Sequence, residues 1–372
     1  MRIMITGGGT GGHVFPAVAV AEELHRRDPH LALQWVGRRG NIEERVCERL
    51  SIPFRSVSVL GWPRNRGLRQ VGAMAALGRS LVQAFVHVRK FRPQAVFAVG
   101  GYVSLPVAYV ANRMGILVLL HEHNRQIGMA NRILAPRATR ILLSFSDTKG
   151  EFPEEKAILV GNPVRAEFFA PPSKGEACRG LGLDESIPVV LIVGGSQGAH
   201  RLNEAVADVL SHVRENEAQF LWITGTADAA AARKAADGAV VPVHVFSFLE
   251  DMVAACAASD IVVSRAGASL TAEIAAMGKP GILVPYPHAA EGHQDQNARA
   301  FEERGAAIVL PDHECTGRAL LTLLRDLLAD AAVRDAMGKA AASLAKPGAA
   351  ERIADEILSL VFAPASDSQS DR

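Results

Sequence analysis

Short apolar runs alternate with amphipathic stretches along the whole chain. Runs rich in β-branched residues are RIMIT, LALQWVG, AVFAVG, ILVLLHE and RILLSF in the first half, then PVVLIVGG, QFLWITG, VHVFSF, DIVVSR and PGILVPYP in the second. Continuous apolar strands separated by helical periodicity describe a parallel sheet covered on both faces, so the pattern predicts an α/β protein with doubly wound parallel sheets. The opening sequence of strand, glycine turn and helix, RIMITGGGTGGHVFPAVAVAEEL, has an echo past mid-chain in PVVLIVGGSQGAHRLNEAVADVL. Two Rossmann-like halves follow. We place the first at residues 1–163, ending near VGNPVR, and the second at 164–348, its first strand starting about Pro188. The polar stretch AEFFAPPSKGEACRG between them reads as a linker. The run AAERIADEILSLVF at 349–362 predicts a closing helix, and the tail 363–372 is too polar to pack.

Composition narrows the class. With 372 residues, 49% of them hydrophobic, the chain has enough apolar surface for two cores. No apolar run approaches the roughly 20 residues that span a bilayer. The first strand starts directly after Met1, leaving no room for a signal peptide, so a cytosolic compartment is expected. Cys47, Cys178, Cys256 and Cys315 are scattered and form no CxxC pair, which predicts buried thiols rather than disulfides or a zinc site. A net charge of +1 excludes nucleic-acid binding by overall charge. The charge is nonetheless uneven: between Arg49 and His121 there is no Asp or Glu, while Arg55, Arg64, Arg66, Arg69, Arg79, Arg89, Lys90, Arg92 and Arg113 all fall there. Something anionic is expected to meet this segment.

Gly7, Gly9 and Gly12 satisfy G-x-G-x-x-G after a strand and at the start of a helix, where a close backbone approach and a positive dipole end favour an anion. An NAD enzyme would show an acid at the end of the second strand, but WVGRRG supplies Arg38 and Arg39, leaving NADP open. A turn needed only for helix packing is the competing reading. GGYVSLP after AVFAVG and GGSQGA after PVVLIV are further glycine turns. The latter spells G-x-S-x-G with Ser196, but no His or Asp is tied to it by spacing, so Ser196 reads as a hydroxyl donor to phosphate rather than a hydrolase nucleophile. In SRAGASLTAEIAAMGKP, Glu273 lies about one turn into a helix, where it either accepts two hydrogen bonds from a ribose or is merely solvated. EGHQDQNA bunches amide and imidazole groups suited to sugar hydroxyls.

HEHN, residues 121–124, ends an apolar strand where open α/β sheets bind ligands. It is not HExxH, and no D-x-D occurs, so neither a zinc site nor a carboxylate clamp for a metal diphosphate is predicted. His13 at a helix N-terminus is suited to remain neutral as a general base, or else it only caps and packs. Val71, Met74, Leu77, Leu81, Val82, Phe85 and Val88 recur at helical spacing beside Arg69, Arg79, Arg89 and Lys90. That face either enters the core or docks on anionic lipid.

Taken in order, GGGTGGHVFPA, GGYVS, HEHN, GNPVR, GGSQGA, RAGASLTAEIAAMGKP and HQDQNA resemble the MurG family of peptidoglycan glycosyltransferases nearly end to end. The resemblance implies a GT-B fold, two Rossmann-like domains facing a central cleft, with the last helix crossing back to the first domain. It implies inverting, metal-independent transfer of GlcNAc from UDP-GlcNAc to the MurNAc 4-hydroxyl of undecaprenyl-linked lipid I, giving lipid II, without a cofactor. It further implies a peripheral location at the cytoplasmic face of the cell inner membrane, an anionic surface met by the N-terminal domain, and no nucleic-acid partner. Carried over by motif, Thr10, Gly11, Gly12, Asn124, Arg165 and Ser196 serve the donor, and the main chain at Leu249 faces uracil. Ala268, Ser269, Leu270, Thr271, Ala272 and Glu273 surround phosphate and ribose, and Gln294 holds the sugar. His13 and Tyr102 face the acceptor, with His13 as the expected base and Glu122 in reserve. His123 stands where the family commonly has glutamine, and PHAAEGHQ departs from the usual spelling. An NADP-linked oxidoreductase using Arg38 and Arg39, or a nucleotide-sugar binder without catalysis, are the alternatives.

Overall fold

In the computed structural model, residues 1–59, 68–194, 199–289 and 292–362 are described. The chain divides into two units: unit 1 holds residues 1–163 and 348–372, unit 2 residues 164–347. In unit 1 the elements are β1 (Arg2–Thr6), α1 (Gly11–Arg27), β2 (Ala32–Gly37), α2 (Ile42–Arg49), β3 (Phe54–Ser56), α3 (Leu68–Phe91), β4 (Ala95–Ala98), α4 (Ser104–Arg113), β5 (Leu117–Glu122), α5 (Met129–Leu134), β6 (Arg140–Leu143) and β7 (Ala157–Leu159). Its seven strands run in the order β3-β2-β1-β4-β5-β6-β7, all parallel. The strand order reverses beside β1, so the crevice at the carboxyl ends of β1 and β4 is where this topology seats a ligand. Ile3, Ile5, Trp35 and Phe97 form one face of the core, and Met4, Val96, Val118 and Leu120 the other.

Unit 2 repeats the plan. It comprises α6 (Lys174–Leu181), β8 (Val189–Val193), α7 (His200–Leu210), β9 (Gln219–Ile223), α8 (Ala229–Asp237), β10 (Val243–Phe246), α9 (Met252–Ala258), β11 (Ile261–Ser264), α10 (Ala268–Ala276), β12 (Gly281–Leu283), α11 (His293–Glu302), β13 (Ala307–Val309), α12 (Gly317–Ala329) and α13 (Ala331–Leu344). The sheet order is β10-β9-β8-β11-β12-β13, again parallel, with the reversal beside β8. The central strand VVLIV is buried at every position, as a strand covered on both faces must be.

Two expectations change here. The stretch read as a linker is built into unit 2: Ser173 and Glu176 form a capping box that starts α6, and Phe168, Ala177 and Cys178 lie in the unit 2 core. The amphipathic segment is α3, which buries one face in the core and leaves another exposed. Ala73, Ala84 and Val88 are buried, while Met74, Val82, Phe85 and Val86 are exposed. Arg64 and Arg66 lie outside the described residues, as does the tail 363–372.

The last helix, α14 (Ala349–Phe362), belongs to unit 1. Ala350, Ile353, Ala354 and Ile357 recur on one face and enter the same cluster as Val18 and Leu24 of α1. The guanidinium of Arg352 donates to Val160 O at 3.0 and 2.6 Å, and Arg27 pairs with Asp355. Ile353 and Ile357 are fully buried. Ile353→Ala is expected to cost about 2–4 kcal/mol in urea unfolding of the full chain. A loss within about 0.5 kcal/mol, typical of surface substitutions, would show that this face is not part of the core.

Candidate active site

At the carboxyl end of β1 the chain turns through Gly7, Gly8 and Gly9 before α1 begins. Gly8 has φ +155°, and a Cβ there would lie 2.3 Å from the Glu43 carboxyl carbon. Glu43, from the first turn of α2, is fully buried: one oxygen accepts Gly9 N–H at 3.1 Å and the other Arg38 N–H at 3.0 Å. The anion that this glycine turn was expected to seat is thus, at Gly9, the protein's own carboxylate. No acid stands directly at the end of β2, where Arg38 and Arg39 follow Gly37. The acid stands six residues past Gly37 and folds back into the turn. The spacing of β2, turn and helix start was the only signal for it.

Thr10 caps α1 through its carbonyl, which accepts the N–H groups of His13 and Val14 at 3.2 and 3.3 Å. Gly11 is buried and Gly12 half-buried beside it. The His13 ring is half-buried, with Nδ1 3.0 Å from Val99 O at the end of β4. A carbonyl can only accept, so Nδ1 carries the proton, and in the neutral form of the ring the lone pair is that of Nε2. Gly101 lets the second glycine turn close on this ring: its φ is +74°, and a Cβ there would lie 3.3 Å from His13 Cδ2. His123 meets His13 edge to face at 4.5 Å between ring centres. Tyr102 is 36% exposed, and its hydroxyl accepts from Arg38 Nη1 at 3.2 Å.

Glu122, the reserve candidate for the base, is braced by its own loop. It is 1% exposed, and its carboxylate accepts Asn124 N–H at 3.0 Å, Asn124 Nδ2 at 3.2 Å, Gly128 N–H at 2.9 Å and Asn131 Nδ2 at 2.9 Å. Burial raises its pKa and these four donors oppose the rise. Such a carboxylate fixes the loop from 123 to 131, and with it Asn124, rather than collecting a proton from a substrate. His121 beneath it is fully buried, its pKa pushed down to about 4 by loss of hydration, and it shares Nε2 with Gly161 O and the Ser144 hydroxyl.

In unit 2 the corresponding edge is formed by the ends of β8 and β11. Ser196 lies outside the described residues. α10 starts at Gly267, which has no side chain to cap the helix, and Ala268, Ser269 and Thr271 are buried along its first turn with Leu270 and Ala272 half-buried. Glu273 is 8% exposed, and burial raises its pKa to about 7 against the pull of the Arg165 charge. Arg165 is held by Glu167 at 2.5 Å and lies over the Phe168 ring. Gln294, at the start of α11, accepts Tyr286 N–H at 2.9 Å through Oε1. Asn297, one turn on, donates to Ala266 O at 3.2 Å and so ties α11 to the turn before α10. Leu249 stands in the loop after edge strand β10, half-buried against the core. Within this unit Arg165 and Glu273 are electrostatic neighbours, and Ala268 to Glu273 form one continuous helix start.

Residues 3–143 match the glycosyltransferase family 28 N-terminal domain, and residues 189–353 the C-terminal domain of the same family. The UDP-N-acetylglucosamine–N-acetylmuramyl-(pentapeptide) pyrophosphoryl-undecaprenol N-acetylglucosamine transferase of Desulforudis audaxviator is 39% identical over 96% of this chain and 98% of its own length. The enzyme of the same name from Bacillus licheniformis is 36% identical over 95% of this chain and 97% of its own. The crystal structure of Acinetobacter baumannii MurG superposes with a TM-score of 0.72 at 27% identity, covering 96% of this chain and 99% of that one. The two doubly wound units are accordingly those of the GT-B fold. With such identity over nearly its whole length, the chain belongs to the MurG family of N-acetylglucosaminyltransferases.

Proposed function

We propose that the protein transfers GlcNAc from UDP-GlcNAc to the 4-hydroxyl of the MurNAc of lipid I, forming lipid II with inversion at the anomeric carbon. The observation that carries the catalytic part of this reading is the contact of His13 Nδ1 with the Val99 carbonyl. Val99 O holds Nδ1–H, which leaves Nε2 as the basic atom beside two glycine turns. In one in-line displacement the acceptor oxygen bonds to the anomeric carbon, the bond to the UDP oxygen breaks, and the hydroxyl proton passes to Nε2. UDP leaves with its new charge directed at helix N-termini; α10, opening at Gly267, supports this, and Ser196 is assigned to the same role by motif. Donor contacts are assigned to Thr10, Gly11, Gly12, Asn124, Arg165, the main chain at Leu249, Ala268 to Glu273 and Gln294. Tyr102 is assigned to the acceptor side. Residues 1–163 with the closing helix are read as the acceptor domain and 164–348 as the donor domain. An NADP enzyme is disfavoured because the Glu43 carboxylate already occupies Gly9 N–H in the turn that would hold its pyrophosphate.

Location at the cytoplasmic face of the inner membrane is part of the same proposal. Among the described residues no helix is long and apolar enough to cross a membrane. α3 instead offers Met74, Val82, Phe85 and Val86 on its exposed side with Arg89 and Lys90 beside them. That combination suits shallow docking on an anionic surface.

Three measurements follow. His13→Ala is expected to lower kcat about 100-fold or more at pH 7 while donor binding persists, and full turnover would remove His13 from the role of base. The KM for UDP-GlcNAc is expected to fall as pH rises through about 7, because the ionised Glu273 accepts two ribose hydroxyls and the protonated one loses an acceptor. Glu273→Gln is expected to raise that KM and flatten its pH profile. In sedimentation with phosphatidylglycerol vesicles, Arg89→Gln and Lys90→Gln should each weaken pelleting about fivefold. Unchanged pelleting with both replaced would defeat the docking assignment.

A further inference from the structure

Unit 1 contains a cavity of about 650 Å³ that the reaction as described leaves unused. Arg38 and Arg39 line it from the end of β2 and Arg79 from α3, with Gln83 one helical turn further, and among the described residues no carboxylate lines it. Arg38, Arg39 and Arg79 give this space an excess of positive charge, and the planar forks of arginine match phosphoryl oxygens two at a time.

The surroundings say which anion. Arg38 Nη1 donates to the Tyr102 hydroxyl at 3.2 Å, and that hydroxyl stands 3.8 Å from where a Gly9 Cβ would be, so the cavity adjoins the turn that carries His13. On its other side the wall is α3, whose exposed face carries Met74 (63% exposed), Val82 (65%), Phe85 (45%) and Val86 (52%). Unit 1 therefore arranges, in sequence, a base, a cationic cavity and an apolar helix face. The acceptor in the names of the relatives has the same covalent order: muramyl sugar, pyrophosphoryl, undecaprenol. Gly9 N–H cannot serve the pyrophosphoryl group while Glu43 holds it. We infer that Arg38, Arg39 and Arg79 form the subsite for the acceptor's pyrophosphoryl group, holding it between the sugar at the glycine turns and the lipid chain on α3. This rests on the transferase reading above.

The test uses the full chain in detergent, with Arg38→Gln, Arg39→Gln and Arg79→Gln singly and together. All three side chains are at least partly exposed, so glutamine is compatible with folding. Farnesyl diphosphate serves as a direct binding probe by calorimetry, and a short-chain lipid-linked acceptor as the kinetic one. The triple variant is expected to weaken farnesyl diphosphate binding at least about tenfold and to raise the acceptor KM by a similar factor, with the donor KM within twofold. Farnesol, which lacks the phosphates, should bind both forms equally. Wild-type affinity and acceptor KM in the triple variant would overturn the assignment. So would a variant that loses only sedimentation with anionic phospholipid vesicles while its acceptor KM is unchanged, since the cavity would then hold a membrane headgroup. If the wild type binds farnesyl diphosphate through the arginines yet transfers no sugar, the subsite stands and the transferase reading falls.

Discussion

The site in unit 1 depends on one buried carboxylate. Glu43 joins three segments that are separate in the chain: the turn after β1, the end of β2 and the first turn of α2. Its charge is met by two peptide N–H groups and by the positive end of its own helix, hydrogen bonds to a charged acceptor being the stronger kind. Fixing the Gly9 peptide fixes Thr10, whose carbonyl opens α1, and so sets where His13 stands. Fixing the Arg38 peptide sets where the guanidinium leaves the sheet toward Tyr102. The space for this carboxylate exists because residues 8 and 37 have no side chains: a Cβ at Gly37 would lie 2.6 Å from Glu43 Cγ.

Burial acts on three titratable groups with one physical cause and three outcomes. Loss of hydration drives His121 to the neutral form and keeps it out of proton chemistry near pH 7. The same loss raises Glu122, but four N–H donors saturate its oxygens and make it a rigid brace. Among the described residues Glu273 has the Arg165 charge in its favour, with Glu167 opposing, and burial places it near 7. Its oxygens retain hydrogen-bonding capacity for a ligand that brings donors. The number of donors already present separates a structural carboxylate from a receptive one.

Much of this architecture was legible in the sequence because long apolar runs make central strands. RIMIT, AVFAV and VVLIV are buried throughout or nearly so, and their runs announce parallel pairing. The edge strands β3, β7 and β13 have three residues each, too few to show a period, and were not foreseen. The supposed linker misled through its prolines, although Ser173 and Glu176 at capping-box spacing marked a helix start. Motif order nominates candidate site residues by type, but not their state. That Glu122 is consumed by its own loop, or that Glu43 reaches the glycine turn, depends on pairings across 9 and 34 residues that no local pattern encodes.

The two units show how far one fold leaves function open. Each is a parallel sheet with a reversal beside its first strand and a glycine turn at the carboxyl edge. In unit 1 the Gly9 N–H of the turn is taken by Glu43, and in the reading proposed above a phosphate is met by side chains from β2 and α3 instead. In unit 2, α10 opens at Gly267, a residue with no side chain to occupy the helix terminus. In the same proposed reading, an external diphosphate is met there by the dipole of α10, which needs no new side-chain order. A single glutamate thus occupies the glycine turn of unit 1, whereas in unit 2 α10 opens on a glycine. The repeated strand, glycine turn and helix seen in the sequence is duplication of a scaffold, not of a chemistry.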